Sequence, residues 1–371
     1  MRSVSVQKFA LKLLCALVLN NTAQAEWIDR SLNTDEVVQL SDSTAQLTNR
    51  GAAKVRIHAY VYEQERRPGA SVAFEKYLKI DSDALAPALR ANYQARTKLM
   101  LIDSERGKQL YVQGETGVRL ALPRTNSRGV TSAQISLPIA AGAAIPRWIN
   151  YSVQGPKQRF NGRALVVPDT GTSIISDIDD TIRDTHVLNT HEMLMNTFVR
   201  PLKAVPGMQP LYVSAAENPT LRIHYVSNAP HALYPLLHQF LTESNFPEGS
   251  IHPRAVSLSG TAWNKAFHAD HIDGHKAQVI ETLMQDFPNR SFVLIGDTGE
   301  QDPAIYGALA RKFPKRVRMI LLHDVTGDAQ DSARYAGELR GIPTAKWQLF
   351  KQASELTRDS LHLSGLAEHG P

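Results

Sequence analysis

Three carboxylates lie within four residues, directly after a short apolar run. The segment that follows this run is Asp177-Ile178-Asp179-Asp180-Thr181, in which the threonine adds a hydroxyl. Side chains two residues apart share one face of a strand, so Asp177 and Asp179 are expected to point together where the strand ends. Adjacent like charges destabilise each other, and a cation that prefers hard oxygen ligands, such as Mg²⁺, relieves the repulsion. The alternative is an acidic cap on a strand-to-turn junction, because Asp is common in turns.

A hydroxyl and a turn follow the next predicted strand of this half of the chain. The strand Leu221–Val226 leads into Ser227-Asn228-Ala229-Pro230. Proline is favoured in the first turn of a helix, so free backbone N–H groups are expected beside the Ser227 hydroxyl. Such an arrangement binds anions. The alternative is that Ser227 or Asn228 is a plain helix cap.

A cation and a further carboxylate complete the set. Lys276 follows Asp273-Gly274-His275 at the predicted start of a helix, and Asp297 follows the apolar run Ser291–Ile295 and Gly296. Lys276 could carry positive charge to a phosphate or could be an ordinary surface lysine. Asp297 can complete the oxygen shell of the metal. A carboxylate pair, a hydroxyl with amides, a cation and another carboxylate are the groups that phosphoryl transfer through an aspartyl-phosphate requires.

These groups must be positioned by the elements that precede them. From residue 169 onward, apolar strands alternate with amphipathic helices, and the predicted strands are Ser173–Ile178, Leu221–Val226, Phe292–Ile295 and Val317–Leu322. Nearly continuous apolar strands between helices indicate a parallel sheet covered on both faces. Ligands bind beyond the carboxyl ends of the strands in such sheets. The fold class predicted is therefore α/β.

The motifs of this half resemble those of a known family. Ser176–Ile182, Tyr225–Pro230 and Leu294–Pro303 are similar to the motifs of the actin-patch-type phosphatidate phosphatases, within the haloacid-dehalogenase-like (HAD-like) superfamily. The resemblance covers roughly residues 170–326 and extends more loosely to the region upstream. Thr298 stands where the family pattern has serine. The resemblance implies a Rossmann-like parallel sheet of the HAD-like phosphatase type.

The same resemblance implies roles for individual residues. Asp177 would be the nucleophile, and Asp179 would protonate the leaving alkoxide and then activate water. Mg²⁺ would be held by Asp177, by Asp179 through its backbone carbonyl, and by Asp297.

The remaining implied roles concern the phosphate and the support of the site. Ser227, the Asn228 amide and Lys276 would bind the other phosphate oxygens. Asp302 and Thr181 would hold these groups in place, and Asn228 and Thr181 would also contact the substrate.

The upstream half has a different pattern. Lys54–Val61 alternates polar and apolar residues, and short strand-like runs separated by Gly and Pro follow residue 98. This pattern indicates a smaller β-rich, sandwich-like domain, interrupted by one or two helices over residues 72–97. The predicted boundaries are residues 1–25 for a signal peptide, 26–168 for the β-rich domain, 169–345 for the phosphatase domain and 346–371 for a C-terminal helix and tail.

The N-terminus predicts export. Arg2, Lys8 and Lys12 precede the apolar run Leu13–Leu19, and small residues before Glu26 favour cleavage after Ala25. Removal of the leader would lower the formal net charge from +5 to +2, so the composition does not call for nucleic acid as a partner. Cys15, the single cysteine, would leave with the leader, and a bacterial periplasm is the expected compartment.

The segment His268–His275 contains His and Asp at spacings that could bind zinc, or it could form a loop over the active site. About 40 residues separate Thr181 from the next strand, too few for a large lid domain, so an open site and peripheral contact with a membrane are expected.

Three functional hypotheses follow from the sequence. The first is a Mg²⁺-dependent phosphatase for phosphatidate or a related lipid phosphomonoester. The second is an exported phosphatase for a different phosphomonoester, and the third is a non-catalytic module that binds the cell envelope. The full set of predicted site residues argues against the third, whereas the sequence leaves the oligomeric state undetermined.

Overall fold

The computed structural model describes residues 31–49, 51–64, 70–140, 145–256, 274–358 and 360–361. The predicted leader lies outside these ranges. So does the segment of the zinc hypothesis, apart from Gly274 and His275.

The first half of the chain forms a mixed sheet of nine strands within the described ranges. The strands are β1 (Glu36–Leu40), β2 (Ser43–Thr48), β3 (Ala52–Gln64), β4 (Ile102–Ser104), β5 (Tyr111–Gly114), β6 (Arg119–Ala121), β7 (Val130–Pro138), β8 (Trp148–Gln154) and β9 (Arg159–Val166). The main order is β1-β3-β2-β9-β8-β5-β6, and β4 and β7 also pair with β3. All pairs are antiparallel except β2 with β9.

Two helices interrupt this sheet between β3 and β4, as the sequence predicted. They are α1 (Ala70–Leu78) and α2 (Pro87–Thr97), separated by a single 3₁₀ turn at Ser82–Ala84. The Asp81 side chain accepts the Asp83 amide at the start of that turn, which is the capping expected of Asp. Pro87 is the first residue of α2, where its missing N–H costs no hydrogen bond.

The second half is an α/β unit with a wholly parallel sheet, as predicted. Its strands are β10 (Gly171–Ser176), β11 (Arg222–Pro230), β12 (Ser250–Arg254), β13 (Arg290–Asp297), β14 (Val317–His323) and β15 (Trp347–Phe350). The order is β12-β11-β10-β13-β14-β15. The helices are α3 (Thr190–Phe198), α4 (Met208–Ala216), α5 (Tyr234–Glu243), α6 (His275–Asp286), α7 (Asp302–Lys312) and α8 (Ala333–Glu338).

Successive apolar residues of each central strand pack on opposite faces of this sheet. Ile174 joins a core with Tyr212 of α4 and Phe240 of α5, whereas Ile175 joins a second core with Leu283 of α6 and Tyr306 of α7. Full burial stabilises each such side chain by about 1.5–3 kcal/mol. Covering both faces leaves the carboxyl edge of the sheet as the place where polar side chains collect.

Several predicted boundaries were wrong. The strand-like run expected over residues 98–102 begins only at Ile102. Residues 98–101 form turns instead, because their amides bond to carbonyls at the end of α2. The segment predicted as a helix from residue 346 begins with a strand, since Trp347–Phe350 pairs with β14. Its described helical part is the short 3₁₀ turn Ala353–Glu355. β11 runs to Pro230 rather than to Val226.

The two halves share a core and several polar contacts. Phe74 and Tyr93 from the first half pack in one apolar cluster with Phe198 and Leu236 from the second. The Arg56 guanidinium donates two hydrogen bonds, of 2.6 and 2.7 Å, to the carboxylate of Asp286 at the end of α6. Of the helices in the described ranges, none combines the length and apolarity needed to cross a bilayer.

Candidate active site

The segment after β10 carries the acidic cluster, and the Asp180 carboxylate stabilises its conformation. Asp180 adopts a left-handed backbone conformation, with φ of 54°. Its carboxylate accepts the amides of Thr185, His186 and Val187 at 2.6–2.8 Å. The Asp177 amide bonds the Ile295 carbonyl of β13 at 2.9 Å, which ties the turn to the neighbouring strand. Asp180 is therefore a structural member of the cluster, and Asp177 is left facing the site.

Asp177 and Lys276 form a buried ion pair. The Lys276 ammonium lies 3.1 Å from Asp177 Oδ1, and each side chain is 1% exposed. Lys276 also contacts Glu300 at 3.4 Å and the carboxylate of Asp302. Burial disfavours the ammonium, but these carboxylates outweigh burial and hold the pKa of Lys276 well above its usual range. The alternative of an ordinary surface lysine is wrong.

Both carboxylate oxygens of Asp177, the predicted nucleophile, have a partner. Thr181 Oγ1 donates to Asp177 Oδ2 at 3.2 Å. Burial raises the pKa of Asp177 well above its usual range; Lys276 opposes this shift, and Asp302 and Glu300 add to it. The ionised carboxylate therefore depends on positive charge close by.

Asp297 presents an unpartnered oxygen at the end of β13. Its Oδ1 accepts the amides of Gly299 at 2.6 Å and Glu300 at 3.1 Å, whereas Oδ2 is buried and has no hydrogen-bond partner. Burial, together with the charges of Asp302 and Asp177, raises the pKa of Asp297 well above its usual range. An orphaned buried carboxylate oxygen is costly unless a cation or donor faces it.

Within the described ranges, Asp177, Asp297 and Asp302 bring ligand oxygens within 4.8 Å of one another, and all three are buried. With Glu300, four carboxylates face the single ammonium of Lys276. This excess of negative charge and the orphaned Asp297 oxygen fit a divalent cation held by hard oxygen ligands. Gly296 makes the crowding feasible, because a β-carbon there would collide with the Asp302 carboxylate.

Asp179 is held by an arginine. Arg183 donates from Nε at 3.0 Å and from Nη2 at 2.5 Å to Asp179 Oδ1, which also accepts from Thr185 Oγ1 at 2.8 Å. The other oxygen, Oδ2, accepts from Ser227 Oγ at 3.2 Å. β10 ends at Ser176, before both aspartates, and the shared orientation of Asp177 and Asp179 stays a prediction. The cap alternative for Ser227 fails too, since Ser227 lies inside β11.

Asn228 links the second strand end to the carboxylate cluster. Its Nδ2 donates to Glu300 Oε2 at 2.8 Å, and its buried Oδ1 has no partner. The Ala229 amide donates to Ser227 Oγ at 3.0 Å, so a backbone donor does lie beside that hydroxyl. Burial also raises the pKa of Glu300, and the Asn228 amide partly offsets that rise.

The structure brings most of the predicted residues to one edge of the sheet. Asp177, Thr181, Lys276, Asp297 and Asp302 are linked by direct contacts or by metal-ligand distances. Asp179 and Ser227 form an adjoining pair, and Asn228 joins the group through Glu300. The individual roles of these residues in catalysis stay predictions, as does the part of Asp179 as a metal ligand.

Sequence reasoning missed Arg183 and Glu300. Arg183 follows the acidic cluster closely, so a charge-pairing argument could have found it. Glu300 lies between two singled-out aspartates, in a loop with no strand or helix periodicity to indicate where it points.

The fold and the site define an α/β protein with a buried carboxylate cluster at the carboxyl edge of a parallel sheet. Residues 172–324 match the family described as "Phosphatidate phosphatase APP1, catalytic domain". The resemblance to the APP1-type phosphatidate phosphatases that the motifs indicated is thereby confirmed for this segment.

Two curated relatives accompany this match. Phosphatidate phosphatase APP1 of Saccharomyces cerevisiae is 27% identical over 260 residues, covering 65% of this chain and 43% of the yeast protein. An uncharacterised protein of Schizosaccharomyces pombe is 35% identical over 167 residues, covering 44% of this chain and 27% of its own length. The chain thus spans less than half of either relative. A carbohydrate esterase structure covers 88% of this chain and 96% of its own at 12% identity, but its TM-score of 0.20 supports no comparison.

Proposed function

We propose that this chain is a Mg²⁺-dependent phosphatase of the HAD-like type, hydrolysing phosphatidate or a related lipid phosphomonoester through an aspartyl-phosphate. The observation that carries the proposal is the buried Asp177, paired with Lys276 at 3.1 Å beside the unpartnered oxygen of Asp297. Phosphoryl transfer requires a carboxylate nucleophile, a fixed cation and a carboxylate oxygen that is free to bind a metal ion, all in one buried site. The family match of residues 172–324 supports the same reaction.

Asp177, Asp297 and Asp302 are the side chains that would hold the ion, with the Asp179 carbonyl as the further ligand predicted from the motif. When bound, Mg²⁺ would supply positive charge that offsets the negative charge of the phosphate and of these carboxylates. Lys276 keeps its own charge in this setting and would bind a phosphate oxygen.

The chemistry would proceed in two displacements. In the first, Asp177 attacks phosphorus, the ester P–O bond breaks, and a protonated Asp179 gives its proton to the leaving alkoxide. In the second, water attacks the phosphorus of the aspartyl-phosphate, its proton passes to Asp179, and the bond to Asp177 breaks to release inorganic phosphate. Arg183 and Thr185 would fix the Asp179 carboxylate that takes up this proton.

Ser227 and Asn228 would bind the transferring group from the second strand end. The Ser227 hydroxyl donates to Asp179 in this structure. A small rotation about its side chain would turn it toward a phosphate oxygen. The segment between Thr181 and β11 contains only the short helices α3 and α4, which supports access for a headgroup at a membrane surface. We further propose export to a periplasm and a β-rich domain of sandwich type, on the sequence patterns given above.

A phosphate-release panel tests the function. The purified chain with Mg²⁺ is assayed on dispersed phosphatidate, a sugar phosphate and a nucleotide monophosphate, with Asp177→Asn as the inactive control. Preferential hydrolysis of phosphatidate is the expected result. Faster hydrolysis of the sugar or nucleotide ester would replace the lipid assignment with an exported phosphatase of another specificity. Equal background rates for the wild type and Asp177→Asn on all esters would favour an envelope-binding module instead.

A further inference from the structure

A histidine-lined cavity lies between the two halves of the chain, away from the carboxylate cluster. Its volume is about 290 Å³. His58 comes from β3 of the mixed sheet, His231 follows β11, His252 lies on β12, and His275 begins α6. None of the residues that line the cavity belongs to the carboxylate cluster.

One imidazole of this lining has a ring nitrogen without a hydrogen-bond partner. His231 is 6% exposed, and its Nδ1 is buried without a hydrogen-bond partner. The position of His252 is fixed from behind, because its Nε2 contacts Ser250 Oγ at 2.8 Å, which in turn contacts His224 Nδ1 at 2.7 Å. A buried polar atom with no partner is the feature expected where a ligand completes the hydrogen bonding.

Arg56 is the permanently charged residue among the described residues that line the cavity, and the carboxylate of Asp286 on α6 pairs with its guanidinium. No carboxylate is among those lining residues. Burial, with smaller effects from His231, Arg56 and His275, lowers the pKa of His58 to about 3. Burial also lowers the pKa of His231 to about 4. Both imidazoles are therefore neutral near pH 7 and can take up protons if negative charge enters.

The opposite part of the wall is apolar. Val130, Ile251, Val279 and Leu283 line it, drawn from β7, β12 and α6. A ligand that fills the cavity must therefore combine a polar end with a short apolar body.

Among the described residues, these imidazoles do not form a group whose ligand atoms lie close enough together to hold one metal ion. Metal ligands must approach one ion at about 2.0–2.1 Å, which draws their nitrogens together. In the described part of the chain, the group that meets such a criterion is the aspartate cluster.

We propose that this cavity binds a small organic anion, with the acidic group among His58, His231, His252 and Arg56 and the short apolar body against Val279 and Leu283. Binding takes up protons onto the imidazoles, because the anion stabilises the imidazolium forms. Affinity is therefore about threefold to tenfold higher at pH 5.5 than at pH 7.5. The charged and titratable groups that face His58 are Arg56 on β3, His231 after β11, His252 on β12 with His224 behind it, and His275 and Asp286 on α6.

Titration of the full chain with butyrate tests this proposal, with butyramide as the uncharged probe of the same shape. Calorimetry in two buffers of different ionisation enthalpy measures proton uptake, and the ¹⁵N shifts of the histidine rings locate it. The expected result is butyrate binding with proton uptake, and at least tenfold weaker binding of butyramide. Equal binding of the two probes, or binding without proton uptake, overturns the proposal. A carboxylate probe also keeps this test independent of phosphatase activity.

Variants locate the site. His231→Gln and His58→Gln are expected to weaken butyrate binding about tenfold, whereas the exposed His191→Gln on α3 leaves it unchanged. Val279→Phe fills the cavity without removing an imidazole, so it tests the location even where a histidine variant fails to fold. Wild-type affinity in Val279→Phe overturns the assignment, as does equal loss in His191→Gln.

Discussion

The chain buries two polar clusters that differ in how their charges are balanced. At the carboxyl edge of the parallel sheet, Asp177, Asp297 and Asp302 crowd together, and one carboxylate oxygen has no partner. Across β10, β11 and β12, an unbroken hydrogen-bonded chain joins Ser173, His224, Ser250 and His252.

Burial acts on the two clusters in opposite directions. It raises the pKa of Asp177 and Asp297 and lowers the pKa of His224 and His58, the latter two to about 3. The imidazoles avoid the cost of a buried charge by staying neutral, since a neutral ring can both donate and accept a hydrogen bond. The carboxylates need cations, because they have no neutral form that serves as nucleophile or ligand. The comparison teaches that the unbalanced buried charge lies at the proposed reactive site, whereas the neutral network mainly supports the fold.

The largest effect is expected from Asp177→Asn. Loss of the nucleophile should reduce turnover by at least about 1,000-fold. The fold should persist, because the change removes a like charge from a crowded cluster. Phosphate release and circular dichroism check both points, and Asp331→Asn, an exposed carboxylate, is the matched control. A folded Asp177→Asn protein with normal turnover would contradict the assignment of the reactive cluster.

The pH dependence of stability probes the histidine side of the comparison. The folded-state pKa of His224 is about 3, below the 6.5 of a free imidazole, so its stabilising contribution is present above pH 6.5 and lost as pH falls toward 3. At pH 5 the part of this contribution that has been lost is about 2 kcal/mol of unfolding free energy. Denaturant unfolding of the wild type and His224→Gln between pH 7.5 and pH 4.5 measures it. A difference between the two proteins that does not change with pH would show that His224 is not kept neutral by burial.

Arg183→Lys tests a half-buried carboxylate whose charge is already balanced, because Asp179 is paired with Arg183. The charge remains, but the two-pronged contact with Asp179 is lost, so kcat should fall roughly tenfold. KM should change little, because the contact positions the group that would transfer the proton and does not itself bind substrate. Steady-state kinetics check this against the exposed Arg159→Lys. A rise in KM with an unchanged kcat would contradict a positioning role for Arg183.

The smallest effect concerns the ion. At a Mg²⁺ concentration ten times the Kd, binding to the folded state adds about 1.4 kcal/mol, which raises Tm by a few degrees. Thermal unfolding with and without Mg²⁺ measures the shift, and Asp297→Asn should abolish it. Chelation should remove both the shift and phosphatase activity, and added Mg²⁺ should restore them. An unchanged Tm in the wild type would argue against a cation at the carboxylate cluster.

Local patterns were enough for much of the fold. The parallel sheet, the two helices of the first half and the strands that precede or carry Asp177, Ser227 and Asp297 were all predictable. Each depends on periodicity or on turn residues within a few positions. β12 and β15 were missed, because Ser250–Arg254 lacks an apolar run and Trp347–Phe350 is too short to show a period.

By itself, the sequence determined which chemistry was available: acidic residues, a serine and a lysine at the ends of successive elements. The tertiary structure alone decided how these groups pair. It set Asp302 beside Asp177 and Asp297, turned Asp179 toward Arg183, and assembled a cavity from His58, His231, His252 and His275. The physical reason is that periodicity records which face of an element is buried, whereas the partner of a buried charge depends on distances between residues far apart in the chain.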